Sequence, residues 1–364
     1  MQGADADTVA DALASDDALP GAGGFAGELD GTLVRDVLGR YPLFVERAVS
    51  DEARLDPGQW SHDPTALGDP RSFPAGHIRN ESGTQQRWSL PSLDPFGDRE
   101  TAIETVRETV ETSIDAVDTD SLAIAFSGGV DSALLAARLD APLYVAGFPD
   151  SHDIEAARSA ADLLGTEVHV VELTHDAIER AVPEIARATA RTNAMDVQIA
   201  LPLYLVAERV AADGFDRLAL GQGADELFGG YAKVAKAPED PRVEADTVRG
   251  AQREVIASLP DQLERDVLAL RAAGVEPVTP LLHDRVIGAA LRLDGDLLVD
   301  GETRKVALRA AARGSLPDEI ADRDKKAAQY GSLAARELDR LARQAGYKRR
   351  MDDHVTQYVE SLVE

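Results

Sequence analysis

Cysteine is absent from the 364-residue sequence, and its absence excludes several classes of protein chemistry. Without thiols there is no disulfide scaffold, no Cys-ligated zinc or iron–sulfur centre, and no thiol nucleophile. Long apolar runs are also lacking, since no stretch approaches the roughly 18 residues of a membrane span. The first residues do not have the basic-then-apolar order of a signal peptide. We therefore predict a cytoplasmic protein without a membrane-spanning segment.

Lysine is scarce in this sequence. The 38 basic residues comprise 32 Arg and only six Lys, against 65 Asp and Glu, and the formal net charge is −27. Because such a chain repels nucleic acid, binding to a phosphate backbone is not expected. The 44% of hydrophobic residues indicate a packed protein rather than a disordered one. Dispersed carboxylates with few Lys are typical of a surface adapted to molar salt, where the Debye length falls to about 3 Å; we interpret the acidity as this halophilic adaptation.

The chain length suggests two domains, and the pattern changes at about residues 95–99. Residues 1–98 are rich in Gly, Pro and Asp, which predicts a small β-rich domain of short strands and loops. From Asp98 onward, apolar residues recur at helical spacing, so a second domain is predicted over 99–364. Its last part, from about residue 247, is predicted to be mostly helical.

Short apolar runs alternate with helical patterns in the second domain. Such alternation predicts an α/β fold in which a parallel sheet has helices on both faces. Ligands of these sheets bind beyond the carboxyl ends of the strands. Strands are predicted at 122–126, 143–148, 168–173 and 218–220, and helices at 132–139, 154–164, 176–190 and 197–212.

A glycine loop follows the first of these strands and opens a helix. Glycines allow the backbone to approach an oxyanion, and free amides at a helix N-terminus carry partial positive charge, so the loop is a candidate phosphate cradle. It is not the GxxxxGK[ST] loop, and a plain strand-to-helix turn is the alternative. Since a carboxylate beside a phosphate needs a cation between them, Mg²⁺ is predicted there. The loop consists of Ser127, Gly128, Gly129, Val130, Asp131 and Ser132.

A second glycine loop, GQGADELFGGY at 221–231, follows the fourth predicted strand. It is expected at the same edge of the sheet, and it also combines glycines with acids. Two Asp side chains from two such loops, Asp131 and Asp225, can hold Mg²⁺ over a triphosphate. The pair of loops is a far stronger indication of a nucleotide site than either loop alone.

These segments resemble a known family. SGGVDS resembles the pyrophosphate loop of ATP pyrophosphatases, and GQGADELFGGY resembles the second diagnostic loop of the asparagine synthetase family. Residues 201–205 and 303–332 are similar to further family segments, so the likeness covers about 99–335. It implies an adenine nucleotide alpha-hydrolase-like fold with ATP and Mg²⁺ as cofactors. In this likeness the nucleotide is also contacted by Ala146, Gly147, Phe148, Gly221 and Gly223.

The reaction implied by the resemblance is ATP-dependent amide formation. A small carboxylate attacks the α-phosphorus of ATP, pyrophosphate leaves, and ammonia or an amine opens the acyl-adenylate. By motif position the cation that stabilises the departing pyrophosphate is Lys325, with its neighbour Lys326 as the alternative. Lys305 also matches a family lysine, and either a structural or a substrate-binding role fits it.

Two departures from the family pattern bear on function. Residues 24–44 resemble the interior of a glutamine amidotransferase domain, but the catalytic Cys is missing, so residues 1–98 are predicted to be a truncated, non-catalytic remnant. A separate glutaminase could then supply ammonia. Gln222 stands where asparagine synthetases usually carry Glu, and an amide cannot act as a base. Glu226 is an alternative acid–base candidate, or a structural cap.

Two other classes of function remain open from the sequence. One is a non-thiolating ATP pyrophosphatase that acts on another carbonyl substrate, and the other is a nucleotide-binding regulatory or scaffold protein without turnover. The seven His residues show no metal-ligand spacing. A Gly-rich string at 21–24 imitates a dinucleotide fingerprint, but no strand precedes it, so that interpretation is rejected. The sequence does not indicate an oligomeric state.

Overall fold

The computed structural model describes residues 1–50, 55–149, 151–237, 240, 244–323 and 330–363. Contacts within the chain define two compact units. Unit 1 comprises Met1–Val117, Gly221–Glu264 and Thr279–Asp322. Unit 2 comprises Asp118–Leu220, Arg265–Val278 and Arg323–Glu364. Within the described residues, no helix has the length and apolar character needed to cross a bilayer.

The strands are short, and most of them belong to unit 1. They are β1 (Gln2–Gly3), β2 (Phe25–Leu29), β3 (Thr32–Arg35), β4 (Phe44–Glu46), β5 (Trp60–Ser61), β6 (Pro70–Ser72), β7 (His77–Asn80), β8 (Gly83–Gln86), β9 (Leu122–Ala125), β10 (Leu143–Gly147), β11 (Val168–Glu172), β12 (Arg217–Ala219), β13 (Glu276–Val278), β14 (Val299–Asp300) and β15 (Thr303–Arg304).

The helices vary from single turns to the long helices that cover the parallel sheet. They are α1 (Ala6–Ser15), α2 (Arg99–Asp115), α3 (Val130–Ala136), α4 (His152–Leu164), α5 (His175–Thr189), α6 (Ala194–Ala212), α7 (Ala224–Leu227), α8 (Ala232–Ala235), α9 (Val248–Ala257), α10 (Leu259–Ala272), α11 (Asp284–Ala290), α12 (Gly295–Leu298), α13 (Val306–Ala312), α14 (Asp318–Ala321), α15 (Tyr330–Gln344) and α16 (His354–Glu360). Two 3-10 turns, Pro64–Ala66 and Pro280–Leu282, lie in unit 1.

Unit 1 contains small antiparallel sheets, as the Gly- and Pro-rich sequence of its first part predicts. One sheet has the order β1-β2-β3-β7-β8 and another the order β5-β4-β6. Phe25 and Val34 from the larger sheet pack with Trp88 and with α1. Helix α1 was not predicted. Its signals are an N-capping Asp5, whose carboxylate accepts from the amide of Thr8, and a buried face formed by Val9 and Ala12.

Unit 2 contains the parallel sheet, in the order β11-β10-β9-β12-β13. Every residue of β10 is buried, which explains its continuous apolar sequence. Tyr144 and Ala146 face the core formed with α5 and α6, and since side chains alternate across a strand, Val145 faces the opposite side, where α4 contacts β10. The predicted α/β fold with helices on both faces is confirmed. Strand β13, three residues long with Pro277 at its centre, was not predicted.

The element boundaries agree closely with the sequence pattern. Helix α2 begins after Asp98, whose carboxylate accepts from the amide of Thr101, and it buries Val106 and Val110 on one face. Strands β9 to β12 and helices α3 to α6 occur in the predicted order. The part after residue 247 is mostly helical, as expected, with β13 to β15 interrupting the helices.

Candidate functional site

The first glycine loop lies directly after β9 and leads into α3, in unit 2. Gly128 has φ +73, and a Cβ atom at this position would lie 2.6 Å from the carbonyl oxygen of Ala156 on α4. Only glycine fits this close approach of loop to helix. The hydroxyl of Ser132 accepts from the amide of Ser127 at 3.2 Å and donates to the carbonyl of Gly129 at 3.2 Å. The loop is thus closed on itself by Ser132.

The glycine loop forms the N-terminus of α3, which has no side-chain cap. The first amides of α3 have no partner within the helix, because helix geometry leaves the leading N–H groups unbonded. Asp131 lies in the first turn and is partly exposed. Val130 and Ser132 are buried and anchor the turn. The predicted cradle residues therefore occur together, in one tight turn that starts a helix.

Strand β10 ends next to the same helix, α4. A Cβ atom on Gly147 would lie 2.6 Å from the Cγ1 atom of Ile154 and 2.8 Å from the hydroxyl of Ser151. Ala146 is buried in the sheet, while Phe148 is partly exposed. These three residues, predicted from the family resemblance to contact the nucleotide, thus lie at the carboxyl end of β10, where parallel sheets bind ligands.

Arg323 braces the first loop from the side of α4. Its guanidinium donates to the carbonyl of Ala156 at 2.9 Å, to the hydroxyl of Ser159 at 3.1 Å and, at 3.5 Å, to the carbonyl of Gly128. Nothing in the sequence indicates these contacts of Arg323. The predicted cation Lys325 and its alternative Lys326 lie outside the described residues.

The second glycine loop belongs to unit 1 and contains the single-turn helix α7. Gly223 caps α7 with φ +92, and a Cβ atom there would lie 2.4 Å from the Cδ2 atom of Leu282. The amide of Gly230 donates to the carbonyl of Asp225 at 2.7 Å, and the amide of Leu227 donates to that of Gly223 at 2.8 Å. The loop is compact and mostly buried, whereas Gly221 and Gln222 at its start are partly exposed.

Asp225 forms an ion pair with Lys305. The ammonium nitrogen lies 2.8 Å from Oδ1 of Asp225, and the Lys305 side chain is 4% exposed. Lys305 itself has φ +59, a backbone conformation that is uncommon outside glycine. Gly230 makes room for the pair, because a Cβ atom there would lie 1.9 Å from Oδ1 of Asp225. The structure thus places Lys305, whose role the sequence left open, on the predicted metal ligand.

Glu226 is buried beside this ion pair. The hydroxyl of Tyr231 donates to its Oε1 atom at 2.6 Å. Burial raises the pKa of Glu226, and the negative charge of Asp225 raises it further, while the Tyr231 hydrogen bond and the Lys305 ammonium oppose the rise. Burial thus shifts the pKa of Glu226 in the direction that favours the protonated form. Tyr231 belongs to the motif at 221–231, but nothing in the sequence indicates this hydrogen bond.

A permanent metal centre is not evident, since no cluster of three or more His, Asp or Glu side chains suited to a metal occurs among the described residues. Each glycine loop instead provides one metal-ligand candidate, Asp131 or Asp225. Mg²⁺ that binds with a nucleotide commonly takes one or two carboxylates, and phosphate oxygens and water complete its shell. One carboxylate in each loop is a donor set that fits a magnesium ion whose remaining ligands are phosphate oxygens and water.

The unit of strand, glycine-rich turn and helix lies at the carboxyl end of a parallel strand, where proteins with such α/β sheets bind their ligands. The family model described as asparagine synthase matches residues 104–256 and 237–361. The chain therefore belongs to the asparagine synthase family.

Individual relatives agree with this assignment. A protein of Methanocaldococcus jannaschii whose provisional name is glutamine-hydrolyzing asparagine synthetase 1 is 30% identical over 281 residues, 67% of this chain and 52% of that protein. The glutamine-hydrolyzing asparagine synthetase B of Escherichia coli is 25% identical, over 70% of this chain and 50% of its own length. An Arabidopsis thaliana asparagine synthetase, also named glutamine-hydrolyzing, is 26% identical over 71% of this chain. The chain spans about half the length of these relatives.

Proposed function

We propose that this protein is an ATP-dependent, AMP- and pyrophosphate-forming amide ligase that joins a small carboxylate to ammonia or a small amine. The observation that carries the proposal is the SGGVDS turn, in which Gly128 packs on α4 at the carboxyl end of β9, in a chain of the asparagine synthase family. The proposed steps are attack of the substrate carboxylate on the α-phosphorus, departure of pyrophosphate, and opening of the acyl-adenylate by the amine.

The two loops have different tasks in this proposal. The amides of the Ser127–Ser132 turn bind the pyrophosphate of ATP, and the end of β10 receives adenine. Asp131 and Asp225 would hold Mg²⁺, and the ion would supply positive charge to balance the charge that grows on the departing pyrophosphate. Lys325 supplies a further positive charge to the same group. The Lys305 ammonium, 2.8 Å from Asp225, fixes the orientation of that carboxylate.

The acceptor side of the reaction involves Gln222 and Glu226. The amide of Gln222 donates and accepts hydrogen bonds but takes up no proton at neutral pH. Glu226, with a raised pKa and a hydrogen bond from Tyr231, is the group of this loop that can hold a proton. We therefore assign acceptor recognition to Gln222 and proton holding to Glu226.

We propose that residues 1–98 do not hydrolyse glutamine, because these 364 residues contain no Cys to serve as the nucleophile. Free ammonia, a small amine or ammonia from a separate glutaminase is the acceptor. The net charge of −27 suits a protein that works at high salt, so the assay is run in molar KCl.

The decisive experiment is carboxylate-dependent exchange of labelled pyrophosphate into ATP, with Mg²⁺ and a panel of small carboxylates. Exchange with one carboxylate, followed by amide formation when ammonia is added, supports the proposal. ATP binding without exchange for any carboxylate would instead support a regulatory or scaffold role.

Matched variants test the metal assignment. Asp131→Asn and Asp225→Asn are expected to abolish exchange, whereas Asp140→Asn, which alters an exposed carboxylate just beyond α3, leaves it unchanged. Full exchange in either of the first two variants contradicts the assignment.

A further variant tests the role of Gln222. Gln222→Glu is expected to change acceptor preference more than ATP affinity; equal changes in both contradict the role of Gln222.

A further inference from the structure

Leu282 packs against the second glycine loop at Gly223. Its side chain packs on the Cα atom of Gly223, so closely that a Cβ atom at Gly223 would lie 2.4 Å from Cδ2 and 2.7 Å from Cγ of Leu282. Leu282 is 1% exposed. The position of Gly223, and with it that of the adjacent Gln222, is therefore set by where Leu282 lies.

The backbone at Leu282 is held by Arg40. The Nη1 atom of Arg40 donates to the carbonyl oxygen of Leu282 at 2.8 Å and to Oδ1 of Asp284 at 2.7 Å. Both charged side chains are almost fully buried, with 2% of Arg40 and 1% of Asp284 exposed. One guanidinium nitrogen thus bonds to two points of the same turn, 282–284.

Asp36 fixes the direction of Arg40. Its Oδ1 atom accepts from Nε of Arg40 at 2.9 Å, and its Oδ2 atom accepts from the Arg40 amide at 3.1 Å. Asp36 also accepts from the amides of Phe25 and Leu38. The carboxylate is completely buried, so the guanidinium has little freedom to adopt another orientation.

The same turn is bound to the glycine string at 21–24. Oδ2 of Asp284 accepts from the amides of Gly21 at 3.1 Å and Ala22 at 2.8 Å, and the Asp284 amide donates to the carbonyl of Ala22 at 2.9 Å. The string that imitates a dinucleotide fingerprint thus uses its amides on a carboxylate of the protein itself. Arg40 and the backbone of Gly21 and Ala22 are thus all hydrogen-bonded to the turn 282–284.

We propose that Arg40 is a positioning residue for the second glycine loop. Together with Asp36 and Asp284 it fixes the position of the 282–284 turn. The side chain of Leu282 in that turn then fixes the position of Gly223. The neighbouring residue, Gln222, is thereby held in place for the acceptor. The N-terminal segment then contributes to the reaction without touching a substrate. The proposal rests on the proposed function for its kinetic readout, but not for its structural one.

The chain offers a matched control in Arg35. This arginine is buried in the same segment, pairs with Glu264 at 3.2 Å, and donates to the carbonyls of Phe73 and Gly39. Within the described part of the chain its other hydrogen bonds go to the carbonyl of Tyr41 and the hydroxyl of Ser72, and none reaches the 282–284 turn. Arg40→Lys and Arg35→Lys both keep the positive charge but lose the planar guanidinium with its several donors. The two variants therefore differ in which hydrogen bonds are lost.

Amide hydrogen exchange over 221–230 is the structural readout. We expect Arg40→Lys to speed exchange of these amides at least tenfold, and Arg35→Lys to leave them within twofold of the native protein. Leu282→Ala, which leaves the Arg40 bonds in place, is expected to have the same effect on the loop. Equal exchange in the Arg40 and Arg35 variants, or native exchange in Leu282→Ala, would overturn the proposal.

Steady-state kinetics provide the second readout. We expect Arg40→Lys and Leu282→Ala to raise KM for the acceptor at least fivefold while KM for ATP stays within twofold; equal changes in both constants contradict positioning. If the native protein forms no amide with any acceptor, the proposed function fails, and the exchange measurement still decides whether Arg40 positions the loop.

Discussion

The two glycine loops are built on opposite principles. The loop at 127–132 is stabilised by backbone geometry: Gly128 presses on the Ala156 carbonyl, and a serine hydroxyl closes the turn. The loop at 221–231 is stabilised by contacts to its acidic side chains. The Lys305 ammonium pairs with Asp225, and the Tyr231 hydroxyl donates a hydrogen bond to Glu226. The contacts of the first loop are between uncharged groups, whereas the second loop places a cation and a hydroxyl on its own acids.

This difference indicates how each loop should respond to mutation. A loop defined by backbone geometry is sensitive to added volume, because its glycines lie against neighbouring backbone. A loop defined by buried charge responds strongly when one partner is removed, since the other is left uncompensated. The following changes test this contrast, from the largest expected effect to the smallest.

Lys305→Met should have the largest effect on the second loop. It removes the ammonium from Asp225 while nearly preserving volume, and we expect the free energy of unfolding to fall by about 3 kcal/mol. Urea denaturation in high KCl measures the loss. Lys348→Met, at an exposed lysine, is the control and should change stability by less than about 0.5 kcal/mol. Native stability in Lys305→Met would show that the ion pair does not hold the loop.

Gly128→Ala tests the first loop by volume alone. The new Cβ would meet the Ala156 carbonyl oxygen at 2.6 Å, at a residue with φ +73, so we expect a cost of about 2 kcal/mol from strain. Gly129→Ala is the matched control, because a Cβ there meets the Ser127 hydroxyl at an ordinary 3.6 Å. Thermal unfolding of both variants decides the matter, and equal losses would contradict the close-approach argument.

Tyr231→Phe should make the stability of the second loop more dependent on pH. Loss of the hydrogen bond from the Tyr231 hydroxyl to Glu226 should lower the free energy of unfolding by about 1 kcal/mol. The pKa of Glu226, already raised by burial, should rise further. Between the unfolded and folded pKa values the folded protein binds more protons, so stability increases as pH falls through this window. Urea titrations from pH 8 to pH 5 should show a steeper increase in Tyr231→Phe. Adding Glu226→Gln should remove the difference.

Of these variants, His283→Asn should change the stability of the protein least. Burial and the nearby charges of Arg285 and Arg40 lower the pKa of His283 from 6.5 to about 4. Since the unfolded chain then binds the proton more readily, stability falls as pH drops from 6.5 towards 4. The native protein should lose about 1 kcal/mol more than His283→Asn between pH 7 and pH 5. Asn keeps an acceptor for the Arg285 amide, which His283 now provides; parallel pH profiles of the two proteins would contradict this origin.

Local patterns predicted the elements that depend on local interactions. Helix α2 was predictable because Asp98 caps it and its apolar residues recur on one face. Strands β9 and β10 were predictable because both faces are covered, which makes their sequences continuously apolar. Helix α1 was missed because its buried face is only Val9 and Ala12, and β13 because a three-residue strand gives no period.

The predicted site also combines features that local sequence encodes with features that depend on distant contacts. The residues of the first loop occur in one turn, as their adjacency in the sequence requires. Lys305 on Asp225 could not be predicted, because nothing local to either residue indicates the other. Gln222, Lys325 and the metal ligands keep their predicted roles as proposals, to be tested by the exchange assay.

The sequence by itself determined the order of strands, glycine loops and helices, the family, and the absence of any thiol chemistry in these residues. These properties are encoded by neighbouring residues, and no distant contact is needed to read them. Only the tertiary structure decided which charges meet, as in the bond between Arg40 and Asp284 across 244 residues of sequence. The physical reason is that a buried charge needs a partner in space, and chain folding, not sequence proximity, supplies it.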